Sequence, residues 1–258
     1  MPDAASGMIQ EVLADGLLTV TLARPPLNIL NGPLMAELGA AIERASRERD
    51  AKVFLIRAEG KAFSAGADID EHRPGKADAM IAQFHGLFRA LDRVPYPTVA
   101  FVQGAALGGG CELAIGCDVV VATEKAKFGQ PEIGLGFLPP VAAALLPWKI
   151  GWARAMEMCC GGQALKAQEA LAVGLVSRVF TQEGAEEELA AFLAPFLKQS
   201  PTTLRLTKKA LRGGGHLGRK DRFDYAERVF LDDLMKTQDV LEGLAAFDEK
   251  REPKWKNG

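Results

Sequence analysis

Apolar and polar positions alternate in a regular way through the first part of the chain. Asp15-Gly16 separates two short apolar stretches at residues 9–14 and 17–22, which is a strong signal for a β-hairpin. Pro33 then opens a segment with apolar positions at helical spacing, and an apolar run follows at residues 53–56. A run that is apolar at every position is typical of a strand covered on both faces.

The alternation of strands and helices continues. A helical pattern at residues 79–91 leads to an apolar strand at residues 98–102. A loop at residues 103–110 opens the next helix, and a further strand is predicted at residues 119–122. This order predicts βαβ units with mostly parallel strand pairing.

The second part of the chain has a different pattern. Past residue 142 the strand signals fade, apart from residues 175–180, and helical patterns dominate from Glu183 onward. The sequence therefore predicts an α/β core over residues 1–200 and a helical C-terminal region over residues 201–258.

Composition narrows the class of protein. The chain has 258 residues, of which 48% are hydrophobic, and a formal net charge of −2. A uniformly basic face is not expected at a pI near 6.0, so nucleic acid is not an expected partner. Residues 1–10 do not resemble a signal peptide, and no apolar run of 18 residues predicts a membrane span. We expect a cytoplasmic protein without a membrane partner.

The cysteines and histidines do not predict a metal site. Four cysteines occur, none in a C-x-x-C pair, and the chain has three histidines. A reducing compartment suits such cysteines, and the adjacent Cys159 and Cys160 are interpreted as buried free thiols. His72, His85 and His216 are interpreted as structural or surface residues.

Two loops rich in glycine and alanine follow predicted strands, at residues 60–68 and 103–110. Small residues let a ligand approach the backbone, and free N–H groups at a helix start suit an anion. The second loop is neither a Walker loop nor a G-x-G-x-x-G fingerprint. Either loop alone is equally typical of tight packing between a helix and a strand.

Both loops, together with the segment at residues 128–136, resemble the crotonase, or enoyl-CoA hydratase/isomerase, family. The resemblance extends to the hairpin, to residues 24–28 and 170–176, and to residues 247–251 near the end. It implies a spiral core of stacked ββα and βαβ units with a helical C-terminal region. It also implies hydration of a coenzyme A thioester, with coenzyme A as part of the substrate and no permanently bound cofactor.

The resemblance assigns the catalytic groups. The oxyanion hole would be the backbone N–H groups of Ala67 and Gly109, aimed at the thioester oxygen. Glu112 and Glu132 match the two catalytic glutamates. Glu112 lies in a first helical turn, which favours its ionised form, and we expect it to activate water. Apolar neighbours are expected to raise the pKa of Glu132, which would transfer a proton to Cα.

The resemblance also implies how coenzyme A is bound. Arg24 and Lys61 would lie near its phosphates, although Arg24 is equally well interpreted as a structural residue. Four residues of the first loop would line the adenine and pantetheine groove: Ala65, Gly66, Asp68 and Ile69. Phe247 and Lys250 would reach the nucleotide bound by a neighbouring subunit, so the expected assembly is a homotrimer or a homohexamer.

The sequence departs from the family after its third motif. Residues 137–147 carry two successive prolines and apolar residues where ordinary hydratases have a glycine-rich segment. We expect the prolines to remove N–H donors and the pocket wall to be drier. This segment and residues 24–31 are similar to the cyclic dienoyl-CoA hydratases of anaerobic aromatic degradation. Their substrate is cyclohexa-1,5-diene-1-carbonyl-CoA, although an apolar wall suits linear chains too.

Other functions stay open from the sequence. A double-bond isomerase of the family needs proton transfer but no bound water, and keeping both glutamates favours the hydratase. A hydrolase or dehalogenase would need another nucleophile at these positions. A non-catalytic acyl-CoA-binding member would be expected to lack a glutamate. An RNA-binding member would need a denser basic segment than the one that comes closest, which holds Lys208, Lys209, Arg212, Arg219, Lys220 and Arg222.

Overall fold

A computed structural model describes residues 7–215 and 217–258, so His216 lies outside the described residues. The ten strands are β1 (Ile9–Ala14), β2 (Leu17–Leu22), β3 (Val53–Ala58), β4 (Ala62–Ser64), β5 (Thr98–Val102), β6 (Ala105–Leu107), β7 (Val119–Thr123), β8 (Lys127–Gly129), β9 (Leu165–Lys166) and β10 (Arg178–Phe180). The α-helices are α1 (Gly32–Ala45), α2 (Ala77–Arg93), α3 (Gly109–Gly116), α4 (Pro140–Ile150), α5 (Trp152–Gly161), α6 (Ala167–Ala172), α7 (Ala185–Leu197), α8 (Pro201–Gly213), α9 (Arg219–Arg228) and α10 (Gln238–Glu249). Short 3₁₀ helices lie at Ile69–His72, Pro131–Leu135 and Leu234–Lys236, and a π-helical turn spans Val229–Asp233.

The larger sheet has six strands in the order β1-β2-β3-β5-β7-β10. Its first pair is the predicted antiparallel hairpin, with Asp15 and Gly16 both at positive φ in the turn. The other pairs are parallel, as the strand–helix alternation predicts. The α/β fold class is therefore confirmed.

Both faces of this sheet are covered, which explains the continuous apolar runs. Phe54 and Ile56 of β3 pack in the main core with residues of α1 and α2, such as Leu34 and Leu87. The alternate residues of β3 face a second cluster, where α7 contributes Leu189 and Leu193. Side chains that alternate along a strand thus enter two different cores.

A second sheet was not predicted. It has four strands in the order β4-β6-β8-β9, each only two or three residues long, inside or beside the segments predicted as loops. Such short strands carry no readable periodicity. Glycine allows their close approach, because a Cβ on Gly104 would lie 2.0 Å from the carbonyl oxygen of Lys61. This sheet carries the loops that follow β4 and β6 to one place.

The C-terminal helices are attached to the α/β core by buried polar contacts. Lys208 of α8 is buried, forms a 2.6 Å ion pair with Asp118 and donates to the carbonyl oxygen of Tyr96. Ser200 both caps α8 and donates to the buried carboxylate of Asp239 in α10. α8 begins at Pro201, and residues 219–236 are divided among α9, the π-helical turn and a 3₁₀ turn.

Two expectations about individual residues need correction. Cys160 is exposed and Cys159 is only partly buried, because α5 buries just Ala155 and Met158 against the core. The strand predicted at residues 175–180 is shorter, since the N–H groups of Leu175 and Val176 bond to α6 instead. Within the part of the chain that the structure describes, no helix is long and apolar enough to span a membrane.

Candidate active site

A pocket of about 640 Å³ lies where the loop after β4, the start of α3 and the 3₁₀ helix Pro131–Leu135 meet. Seven residues singled out from the sequence line it: Ala65, Gly66, Ala67, Ile69, Gly109, Glu112 and Glu132. The remaining walls are mainly apolar, from residues of α2 and from residues 135–140. The short second sheet therefore brings together groups that are far apart in sequence.

Two backbone N–H groups face each other at this pocket. Gly109 is the first residue of α3. Ala67 lies near the end of the first loop, where its neighbours Gly66 and Asp68 form backbone hydrogen bonds with Leu30. A Cβ on Gly109 would lie 3.2 Å from the nitrogen of Ala67. Neither N–H has an acceptor among residues 7–215 and 217–258. The pair is suited to an oxygen that gains negative charge.

Glycines make this approach possible. Gly66 has φ near +108°, and a Cβ there would lie 2.9 Å from the carbonyl oxygen of Leu107. A Cβ on Gly110 would lie 2.3 Å from the carbonyl oxygen of Ser64. The two loops are therefore packed backbone against backbone, which fixes the positions of their N–H groups.

Glu112 lies in the first turn of α3 and is almost completely buried, with 2% of its surface exposed. Its Oε1 accepts hydrogen bonds from the backbone N–H groups of Val141 (2.7 Å) and Ala142 (2.8 Å) at the start of α4. Burial raises the pKa of Glu112 to about 7, and the nearby charge of Glu132 adds to this, while the two N–H donors oppose it.

Glu132 lies in the first turn of the 3₁₀ helix Pro131–Leu135, and its Oε2 is 3.2 Å from where a Cβ on Gly108 would lie. Burial raises its pKa as well, whereas the nearby His72 lowers it. Its Oε2 is buried and has no hydrogen-bond partner within the described residues. A buried carboxylate oxygen without a partner is suited to hold a water molecule or a proton.

One expectation about this region was wrong. The helix start does not keep Glu112 at a low pKa, because burial of its charge raises that pKa. The expected apolar wall is present, and the two prolines carry no N–H group, but the segment keeps two donors. Pro140 takes the first position of α4, where an N–H would be unpaired, and the next two N–H groups bind Glu112.

Five residues assigned to coenzyme A do not line this pocket. Arg24 donates to the carbonyl oxygen of Ile29, and the side chain of Asp68 caps the following 3₁₀ helix. Lys61 is exposed beside β4. Phe247, with 82% of its surface exposed, and Lys250 lie at the end of α10.

His72 is a pocket residue that the sequence analysis missed. It ends the 3₁₀ helix Ile69–His72, and its Nδ1 donates to the carbonyl oxygen of Asp68 at 2.8 Å. Its ring lies 5.0 Å from the ring of Phe137, centroid to centroid. Its position five residues after the expected donor Ala67 is the sequence signal that could have identified it.

Comparisons with known proteins identify the family of the chain. The family described as enoyl-CoA hydratase/isomerase matches residues 13–258. The cyclohexa-1,5-dienecarbonyl-CoA hydratase of Thauera aromatica is 34% identical, with 100% of both chains covered. A probable enoyl-CoA hydratase of Mycobacterium bovis is 40% identical over 92% of this chain and 93% of the relative. An enoyl-CoA hydratase subunit of Geobacillus kaustophilus superposes with a TM-score of 0.89 at 34% identity, covering 97% of this chain and 98% of that one.

A pocket with paired carboxylates and free backbone donors, on a core of parallel strands, defines an enzyme of the crotonase fold. The chain belongs to the enoyl-CoA hydratase/isomerase family. The names of its relatives are those of hydro-lyases, so it is classed with the lyases.

Proposed function

We propose that the protein is an enoyl-CoA hydratase, which adds water across the double bond of a 2-enoyl-CoA thioester. One observation carries this proposal. Two carboxylates, the buried Glu112 and the partly buried Glu132, line the same apolar pocket as the free N–H groups of Ala67 and Gly109. Hydration needs both kinds of group, since water must be deprotonated, Cα must be protonated, and the thioester oxygen must carry charge between the two events.

In this mechanism Ala67 and Gly109 bind the thioester oxygen. Attack of water at Cβ moves the electrons of the double bond toward Cα and that oxygen. Each donor of an oxyanion hole contributes about 3–4 kcal/mol to lowering such a barrier. Because both donors are backbone groups in tightly packed loops, they need no rearrangement during the reaction.

The two glutamates divide the proton transfers. Glu112 takes a proton from the attacking water, and its position is supported by the hydrogen bonds from Val141 and Ala142. Glu132 gives a proton to Cα, a role supported by its raised pKa and its unpaired buried oxygen. Both groups act on one water molecule, so they titrate as a coupled pair.

The coenzyme A part of the substrate extends out of the reacting pocket. Arg24 and Lys61 are assigned to its phosphates. The groove for its adenine and pantetheine is assigned to Ala65, Gly66, Asp68 and Ile69. Phe247 and Lys250 are assigned to the nucleotide of a neighbouring subunit, which makes residues 201–258 the oligomerisation region of a homotrimer or homohexamer. The exposed apolar residues of α10, such as Leu241, support this assignment. Sedimentation of a fully active monomer would contradict it.

For the acyl group, a cyclic dienoyl thioester is the candidate that two observations favour. The wall around the glutamates is apolar, and one relative that is covered over its full length is named for hydration of cyclohexa-1,5-dienecarbonyl-CoA. Turnover should be measured against linear, branched and alicyclic 2-enoyl-CoA thioesters, by loss of conjugated absorbance. Conversion of a 3-enoyl-CoA to the 2-enoyl isomer without hydration would favour the isomerase instead.

A further inference from the structure

The pocket has little polarity beyond its two glutamates. Among the described residues that line it, His72 contributes the one other polar side chain, while α2 supplies Met80, Ile81 and Phe84. This imidazole lies beside the ring of Phe137, and it lowers the pKa of Glu132. A group that lines the pocket so near the carboxylates is placed to contact the acyl part of a thioester.

The orientation of His72 is fixed from two sides. Its Nδ1 carries a proton, because it donates to the carbonyl oxygen of Asp68, which can only accept. Asp68 directly follows Ala67, the donor of the oxyanion hole. The ring is thus attached to the same rigid loop that binds the thioester oxygen.

Phe137 supplies the other half of the contact. It follows Gly136, whose left-handed conformation ends the 3₁₀ helix that carries Glu132. The two rings are 5.0 Å apart with an interplanar angle of 48°, within the usual range for packed aromatic rings. The pair therefore joins the loop of Ala67 to the segment of Glu132 along one side of the pocket.

Such a contact restricts the shape of the acyl group. An extended chain that leaves the reacting centre toward this side meets the two rings, whereas a short or ring-shaped group stays within the pocket. We propose that the His72–Phe137 pair closes the acyl subsite and selects compact acyl groups over long linear chains. This inference rests on the hydratase function proposed above and names the residues that set its substrate class.

The test compares three thioesters in the purified full chain: crotonyl-CoA, cyclohexa-1,5-diene-1-carbonyl-CoA and trans-2-decenoyl-CoA. The variants are H72A and F137A, each of which opens the contact from one side. One methylene group more or fewer in a hydrophobic pocket changes kcat/KM by about 10–200-fold. We expect both variants to raise the ratio of kcat/KM for decenoyl-CoA over crotonyl-CoA by about 10-fold. The ratio for the cyclic thioester over crotonyl-CoA should fall.

Two controls separate selectivity from a general structural effect. H85A removes a histidine that lies outside this pocket and should leave both ratios unchanged. F137L keeps part of the bulk and should give ratios between those of the wild type and F137A. If H72A fails to fold, judged by circular dichroism, F137A and F137L decide the question.

The outcomes are distinct. Ratios that stay within about twofold of wild type in folded F137A, or a wild type that prefers decenoyl-CoA, would overturn the selectivity of this pair. Crotonyl-CoA hydration would persist in that case, so the hydratase function would stand. Absence of hydration of every thioester by the wild type would instead remove the proposed function and this inference with it.

Discussion

The two sides of the pocket are built in different ways. Around Gly66 and Gly109 the wall consists of backbone atoms packed against backbone atoms, with no room for a single Cβ at Gly66 or Gly110. Across the pocket, residues 134–138 present exposed apolar side chains: Leu135 is 61% exposed and Leu138 68% exposed. A Cβ on Gly134 or Gly136 would meet nothing within 4 Å.

This difference separates two tasks. The backbone N–H groups proposed to stabilise charge belong to the packed wall, because close packing holds their positions fixed. In the proposed function, contacts to the acyl group come largely from the open wall, where side chains can change without disturbing the core. Glu132 is the exception, since this proposed catalytic carboxylate is carried by the segment that leads into the open wall. The predictions below test this division.

The largest effect is expected for the glutamates. E112Q and E132Q should each lower kcat by about 10²–10⁴-fold, because general acid–base groups contribute that much. In the double variant the losses should not multiply, since both groups act on one water and one proton. E132Q should also abolish exchange of the Cα hydrogen with solvent, whereas E112Q should affect hydration more than exchange.

Rates of hydration and of deuterium uptake at Cα, on variants shown by circular dichroism to be folded, check this prediction. Hydration close to wild type in either folded variant would rule out the two-carboxylate mechanism. Isomerisation that survives in E112Q alone would favour an isomerase.

Adding one methyl group in each region tests whether the packed wall and the open region differ in their tolerance of extra bulk. G109A places a Cβ 3.2 Å from the nitrogen of Ala67, in the space of the oxyanion. Loss of one oxyanion donor costs about 10²–10³-fold in kcat, and we expect a loss near the lower end. G134A, which adds a methyl group in open space next to the pocket residue Leu135, is the matched control and should stay within about threefold of wild type. Equal losses in the two variants would show that the walls do not differ.

The buried carboxylate also predicts a dependence of stability on pH. Glu112 has a pKa of about 7 in the fold, raised from 4.5, so between these values the folded state holds a proton that the unfolded chain has released. Its contribution to stability is thus complete below pH 4.5 and is lost as the pH rises through 7. E112Q has no such proton, so its free energy of unfolding relative to wild type should rise by about 3 kcal/mol from pH 4 to pH 8.

Urea denaturation of both proteins at a series of pH values measures this change. E132Q provides a comparison, since Glu132 is less buried and its relative stability should change in the same direction by a smaller amount. A difference between E112Q and wild type that does not vary with pH would show that Glu112 titrates normally.

The smallest effect concerns the exposed rim near β4. K61E should raise KM for the acyl-CoA about 10-fold and leave kcat nearly unchanged, because a phosphate contact far from the reacting bond binds ground and transition states equally. K125E reverses a charge at another exposed position and serves as the control. Equal KM values in K61E and wild type, at low salt, would remove Lys61 from the site.

Much of the fold and of the site is determined locally. The hairpin turn needs positive φ at two successive residues, which Asp15-Gly16 provides, and Asn31 and Pro33 define the start of α1. The strands of the large sheet could be predicted because their apolar runs are long enough to show that both faces are covered. Glu112 and Glu132 were singled out through motifs, which are also properties of the sequence itself.

Only the tertiary structure decided the environment of those residues. The pKa of Glu112 depends on burial among distant segments, and its two donors come from α4, about thirty residues later in the chain. The second sheet consists of strands too short to have a pattern, yet it places Ala67 beside Gly109. His72 became a pocket residue through its contact with Phe137, 65 positions away in the sequence. Local patterns specify the helix or strand to which a residue belongs. The polarity around a side chain and its distance from other functional groups depend on contacts between segments that are distant in sequence, and no local pattern records those contacts.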